Sequence, residues 1–325
     1  MQFKLDKKDK KIIEQLDLNA RQSNAQIARK VGLSKDAVGY RIKKFEEKKL
    51  IKGYFSVLNI SKLGYVSYKL MITFRNTKYE IEQRIIKDLI KNRNVGWVVN
   101  CDGIYNLMVI IWVKSTLDFD RFFRLFLEKY SKYLQERDIS IVTEQHTCRK
   151  AYLYDKNRDT SRDNYTSGEP KEIVDKTDLK ILKMIANNSR IAFYKIALEV
   201  GLTAEAIAHR VKKLQRENII LAFKPLFDIT ILGYQSYNVS FKLNNFNEID
   251  KIFNFFKNHS NIISFQRYLG KYDLGIDINV KNTKEFRQIL KEIKELFINS
   301  IESYHSMLIY KEHKLSYFLD ASLLK

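Results

Sequence analysis

One stretch of this chain is written twice. Residues 6–68 and 175–237 align at a constant offset of 169 with no gap, and about a third of the aligned positions are identical. Asp6 matches Asp175, Arg21 matches Arg190, and Val31-Gly32-Leu33 matches Val200-Gly201-Leu202. Arg41 matches Arg210, Lys43-Lys44 matches Lys212-Lys213, and Leu63-Gly64-Tyr65 matches Leu232-Gly233-Tyr234. The likeness resumes more loosely at Gly103–Leu107 and Gly270–Leu274. A unit of about 150 residues is too long for a solenoid repeat, so the chain is a duplicated two-part module.

Between the copies, residues 155–172 hold one aromatic, Tyr165, among polar, Gly and Pro residues, and read as a flexible linker. Its 18 residues could span about 60 Å when extended, at roughly 3.3 Å each. Its length therefore leaves open whether the two units pair within one chain or between chains. The expected segments are 1–52, 53–154, the linker 155–172, 173–222 and 223–325.

The first part of each unit has helical periodicity. Ile12, Ile13 and Leu16 share a face that Asp6 can cap, with Asp9 adding negative charge to the first turn. Ser23 opens a second helix carrying Ile27, Ala28 and Val31, and Gly32 ends it where a left-handed residue is needed. Ser34 can cap a third helix, in which Val38, Ile42 and Phe45 recur at spacings of four and three. Two helices around a short Gly-containing turn form a helix-turn-helix, whose second helix enters the DNA major groove. The outward residues then divide by chemistry. Ser34, Lys35, Asp36, Gly39 and Tyr40 lie at the leading end, with Lys35, Asp36 and Tyr40 placed for base edges and Gly39 for close approach. Arg41, Lys43 and Lys44 are placed for phosphates. In the second unit the corresponding set is Thr203, Glu205, His209, Arg210, Lys212 and Lys213.

Charge points the same way. The chain carries a net +20. Residues 1–52 hold 15 basic against 7 acidic residues, and residues 171–224 hold 11 against 6. Such a balance attracts polyanions, nucleic acid first. With 45% hydrophobic and 30% charged residues the chain is globular. The longest apolar run, Leu107–Val113, is far short of the roughly 20 residues of a membrane span, and the charged N-terminus is unlike a signal peptide. A cytoplasmic protein with no membrane partner is the simplest expectation. Two cysteines exclude a disulfide framework.

After Gly64-Tyr65 the period becomes strand-like. Strand 66–74, helix 79–92, a hairpin of 95–101 and 104–113, helix 117–134 and strand 139–153 give the order βαββαβ, a ferredoxin-like split sheet. The second unit repeats it as 236–243, 247–259, hairpin 262–280, 283–299 and 301–318. Helices cover one sheet face; the other is open and suited to pairing with another copy. The fold class is therefore α+β, a winged-type helix-turn-helix followed by a ferredoxin-like βαββαβ sheet domain, the whole unit duplicated.

The D-x-x-D-x-x-I-I/L start, the I-A-x-x-V-G-L-S/T turn, R-[IV]-K-K and L-G-Y each occur twice, ahead of G-x-Y-D-L-type hairpins. In these motifs the chain resembles the Lrp/AsnC family of transcription regulators, in a tandem form. The resemblance implies sequence-specific binding of double-stranded DNA, self-association through the sheet domains, and an amino-acid effector near the hairpins. Carried over, the effector positions are Asp102, Gly103, Tyr105 and Asn106 in the first unit, and Gly270, Tyr272 and Asp273 in the second. Asn106 stands where the family has Asp, which weakens recognition of an amino group.

No phosphate-cradling loop or nucleophile elbow is visible, so no catalytic residue or cofactor is expected. His146 and Cys148 at i and i+2 are two ligands without a third, which makes no metal site. Siroheme decarboxylases resemble the same architecture and can be two fused halves, but neither hairpin here contains His. A low-specificity architectural DNA binder is the other alternative.

Overall fold

The computed structural model describes residues 3–155, 164–166, 174–316 and 318. The first unit begins with α1 (Lys7–Leu18), α2 (Asn24–Val31) and α3 (Lys35–Glu47), then β1 (Ile51–Leu58) and β2 (Val66–Phe74). Helix α4 (Tyr79–Lys91), β3 (Val95–Asp102), β4 (Leu107–Val113), α5 (Thr116–Tyr130) and β5 (Leu134–Thr147) follow, then the short β6 (Asn164–Thr166). The second unit repeats the series as α6 (Lys176–Ala186), α7 (Phe193–Val200), α8 (Ala204–Arg216), β7 (Ile220–Phe227) and β8 (Gln235–Leu243). It ends with α9 (Ile249–Asn258), β9 (Ile262–Leu269), β10 (Leu274–Val280), α10 (Thr283–Leu296) and β11 (Ile301–Leu315).

Several boundaries differ from the sequence expectation. The last strand of the first unit starts at Leu134, not 139, because α5 ends at Tyr130 and one tight turn, Ser131–Tyr133, redirects the chain. The expected divisions at 52/53 and 222/223 fall inside β1 and β7, which pair with each other as a separate antiparallel ribbon. Pro225 is tolerated there because each strand of a two-stranded ribbon has a free edge. Of the expected linker, Asp155 and β6 are described, and β6 pairs antiparallel with the end of β5; the rest lies outside the described residues.

The two units pair within one chain. Each contributes four strands in ferredoxin order, β3-β4-β2-β5 and β11-β8-β10-β9. The edges then meet crosswise, β5 with β9 and β3 with β11, so eight strands close into a ring. The open faces anticipated for a second copy are thus used internally. Met71, Val99, Cys101, Met108, Val142, Tyr268 and Met307 fill the space between them. Helices α4 and α5 cover the first sheet over Leu70, Ile72, Val98 and Val109. Helices α9 and α10 cover the second over Val239, Phe241, Ile276 and Ile278.

The helix-turn-helix domains cross over as well. The first packs on Phe227, Ile229 and Leu232 of the second unit, and the second on Leu58, Ile60, Leu63 and Tyr65 of the first. Fully buried Ile, Leu and Phe side chains are each worth about 1.5–3 kcal/mol, so these crossed cores hold both helix-turn-helix heads to one body.

The hairpin glycines serve this closure. A Cβ on Gly270 would lie 2.9 Å from Ser140 Cβ and 3.0 Å from the Ile139 carbonyl of β5. A Cβ on Gly103 would lie 2.9 Å from the Ser306 carbonyl of β11, at a φ of +149°. Each hairpin therefore presses backbone against the last strand of the opposite unit. Gly270→Ala is expected to cost about 1–2 kcal/mol by overpacking, read as a lower denaturant midpoint at unchanged slope.

Candidate nucleic-acid interface

Local chemistry builds the first head. Asp6 and Asp9 form a reciprocal capping box at α1, and Ser23 and Gln26 form another at α2. Gly32 ends α2 in the left-handed region at φ 65°, and Ser34 caps α3 through the Ala37 amide. Lys8 Nζ donates to the carbonyls of Val31 at 2.7 Å and Gly32 at 3.1 Å, satisfying the free end of α2. Val38, Ile42 and Phe45 are buried, which fixes the opposite face of α3 outward.

On that face Ser34, Lys35, Asp36, Tyr40, Lys43 and Lys44 are exposed, Tyr40 at 71%. Lys43 has only a loose i,i+4 partner, Glu47 at 3.7 Å. Two residues expected to face DNA have different surroundings. Arg41 Nη1 donates to Asp6 at 2.6 Å and to Asp9 at 2.5 Å, so it ties α3 to the start of α1 and is taken up inside the domain. Those hydrogen bonds hold Asp6 below the usual carboxylate range and raise Arg41. Gly39 is half-buried, and a Cβ there would sit 3.1 Å from Asn24 Nδ2. The close approach it allows within the head is to Asn24 of α2.

The second head has the same frame with different chemistry outside. Thr203 caps α8 through the Ala206 amide. Arg210 repeats the clamp, donating to Asp175 at 2.7 Å and Asp178 at 2.8 Å. Glu205, His209 and Lys212 are exposed, and Lys213 is half-buried with Glu217 at 3.9 Å. Sequence reasoning passed over the end of the preceding helix. Exposed Arg29 and Lys30 of α2 are answered by Leu198 and Glu199 of α7, with Leu198 exposed at 81%. The aligned repeat carried that signal: a basic pair in one copy and none in the other. The two heads thus present unlike surfaces on one scaffold.

The hairpin residues are largely committed. Asn106 Oδ1 accepts from the Phe74 amide at 2.9 Å, and Asp273 Oδ2 from the Leu243 amide at 2.8 Å. These are equivalent bonds, so Asn and Asp do one structural job here, and the Asn in the first unit has a backbone reason. Tyr105 is fully buried and its hydroxyl accepts from Lys271 Nζ at 2.9 Å. Tyr272 is also buried, with no hydrogen-bond partner for its hydroxyl among the described residues. Asp102 and Gly103 are exposed. His146 is buried against the Phe265 ring and bonds Glu144 at 2.6 Å. Among the described residues no group of three or more His, Cys, Asp or Glu could hold a metal, and no helix is long and apolar enough to cross a membrane.

A capped turn, a recognition-type helix with an exposed basic and polar face, and two copies of both define a helix-turn-helix DNA-binding protein. Residues 5–52 match the winged helix-turn-helix DNA-binding family, and residues 174–215 match the AsnC-type helix-turn-helix domain. The HTH-type transcriptional regulator LrpA of Pyrococcus horikoshii is 34% identical over 114 residues, covering 35% of this chain and 79% of that protein. The regulator FL11 of the same organism is 28% identical over 144 residues, covering 43% of this chain and 92% of that protein. Each relative is thus about one unit long. The chain belongs to the Lrp/AsnC family of transcription regulators, as a tandem duplicate. The siroheme decarboxylase NirDL covers 95% of this chain and 93% of its own at a TM-score of 0.64, with 11% identity, a likeness of fold alone.

Proposed function

We propose that one chain does the work of a family dimer, reading two unlike DNA half-sites with α3 and α8. The observation that carries this is the within-chain pairing of two heads whose exposed faces differ, Lys35-Asp36-Tyr40 against Ala204-Glu205-His209. Lys35, Asp36 and Tyr40 face base edges, and Lys43 and Lys44 face phosphates. On the second head Glu205 and His209 face the groove, while Lys212 and Lys213 face the backbone. Arg41, Arg210 and Gly39 support this surface from behind.

Selection from random DNA is expected to recover an imperfect inverted repeat, with one half constrained more tightly than the other. A strict palindrome read equally on both sides would overturn the reading. A specific site should also be preferred over random sequence by at least about 10³. A flat preference would instead fit an architectural binder.

An amino-acid effector is better supported at the second hairpin than the first, because the buried Tyr272 hydroxyl has no hydrogen-bond partner among the described residues while Tyr105 is satisfied by Lys271. Calorimetric titration with an amino-acid mixture, repeated on Tyr272→Phe, tests this; equal heats from the two proteins would remove Tyr272 from the site. The decarboxylase likeness makes a second check direct. Adding an iron tetrapyrrole is expected to leave the tetrapyrrole's absorbance spectrum unshifted, and a saturable shift would reopen an enzymatic role.

A further inference from the structure

The two units are related by an approximate two-fold axis, yet the charges buried where they meet do not obey it. Lys69 of β2, 2% exposed, has Asn238 of β8 as its repeat equivalent, and the two touch each other: Lys69 Nζ donates to Asn238 Oδ1 at 3.1 Å. Lys69 also donates to the Tyr268 hydroxyl at 3.2 Å. The Asn238 amide nitrogen in turn donates to Asp277 Oδ1 of β10 at 2.7 Å. At the hairpin offset of 167, the equivalent of Asp277 is Ile110. Burial pushes the Lys69 ammonium down to about 8, with Asp277 opposing that shift.

A second pair sits apart, under the first helix-turn-helix. Asp17 of α1 is 2% exposed and faces Lys224 of β7, 3% exposed. Lys224 Nζ lies 3.7 Å from Asp17 Oδ1 and donates to the Asp17 carbonyl at 2.9 Å. The same carboxylate accepts from the Lys150 amide at 2.7 Å and the Tyr154 hydroxyl at 3.2 Å. Its repeat equivalent is Ala186, and that of Lys224 is Phe55.

Each of these four charges therefore has a neutral counterpart. Asp17 and Lys224 meet directly across the two units, whereas Lys69 reaches the half-buried Asp277, which also accepts from Ser264 and Gln266 of its own unit, through the Asn238 amide. Two first units paired together would set Lys69 against Lys69 and put phenylalanine where Lys224 faces Asp17, leaving Lys150 of the same unit as the cation near each Asp17 carboxylate. Two second units would leave both Lys224 ammoniums facing alanine and both Asp277 carboxylates without a cation. A buried charge stripped of its partner is strongly unfavourable, so like pairs are penalised at two separate places.

We propose that Lys69 with Asn238 and Asp277, and Asp17 with Lys224, form a recognition code that makes the first unit's inner surface accept the second unit and reject another first unit. The partner this surface fits is a sheet with a hydrogen-bonding amide at its centre and a carboxylate beside it, the second unit of this chain or of another copy.

The test uses the full chain with a specific protease site inserted after residue 160, folded first and then cut. The nicked protein is incubated in sub-denaturing urea to allow exchange, returned to buffer and weighed by native mass spectrometry. Unlike pairs are expected to exceed like pairs by more than about a hundredfold. A statistical mixture, with like pairs making up about half, would overturn the proposal. Converting charges to their repeat equivalents, Lys69→Asn with Asp17→Ala and Lys224→Phe, should raise like pairs toward that mixture. Continued exclusion of like pairs would show that the code lies elsewhere. Should that variant fail to fold, Lys69→Asn with Asp277→Asn removes one lock only, and is expected to raise like pairs at least about tenfold; no rise overturns the assignment equally.

Discussion

Replacing Arg210 with methionine is expected to destabilise the second head by about 3 kcal/mol. The guanidinium is the cation held between Asp175 and Asp178, and the Asp178 side chain is only 1% exposed. Removing one partner of a buried pair costs about 3–5 kcal/mol because the other charge is stranded. The Arg210 side chain is 30% exposed, and screening by solvent moves the expectation to the lower end of that range. Asp178 Oδ2 already lacks a hydrogen-bond partner among the described residues, so no second donor stands ready to replace the arginine. Guanidinium unfolding should show a lower midpoint for the second head. Adding Asp178→Asn to Arg210→Met should recover much of the loss, since a neutral amide is then buried in place of a carboxylate. Equal stability of wild type and Arg210→Met would remove the clamp from the account.

The same clamp sets an acid limit. At Asp6 the hydrogen bond from Arg41 lowers the carboxyl. At Asp175 burial pulls upward, but the Asp178 amide and Arg210 outweigh it. A carboxyl lowered on folding contributes stability that is fully present above its unfolded value and disappears as pH falls through its folded one. The difference between wild type and Arg210→Met should therefore be constant near neutrality and shrink below about pH 4.

The fold was legible because the local signals agree with the global one. Asp6, Ser23, Gly32 and Ser34 mark helix ends that the structure keeps, and the strand-like run 66–74 is β2 residue for residue. What the sequence hid is long-range pairing. No periodicity states that β5 meets β9 or that β1 meets β7 across the linker, because a strand edge is the same backbone whatever it pairs with. The site was half legible for a related reason. Burial follows period, so the outward positions of α3 were found. The carboxylate partners of Arg41 were not legible, because they lie 32 and 35 residues away and a guanidinium suits carboxylates as well as phosphates. The hairpin glycines looked like turn residues, and their second use, close approach to the opposite unit, exists only in three dimensions.

On α3, Lys43→Ala and Tyr40→Ala are expected to impair DNA binding in opposite ways. Lys43 is exposed, and its one ion pair among the described residues is a solvent-screened i,i+4 contact of the kind worth a few tenths of a kcal/mol, so the ammonium is available to a phosphate. A phosphate contact releases counterions and carries no sequence information. Lys43→Ala should weaken specific and random DNA alike and reduce the slope of log K against log salt by about 1. Tyr40 carries no charge, stands 71% exposed in the middle of α3, and is replaced by His209 in the other head. Tyr40→Ala should leave the salt slope unchanged and lower discrimination at one or two base positions by about 1–3 kcal/mol each. If His209 reads the other half-site, as proposed above, the loss should fall within a single half-site. Binding isotherms at several salt concentrations, on the selected site and on versions altered in each half, separate the two effects. A slope change in Tyr40→Ala with specificity intact, or a specificity change in Lys43→Ala at constant slope, would reverse the roles assigned to these side chains. A Tyr40→Ala loss spread equally over both halves would instead show that α3 and α8 do not read separate half-sites.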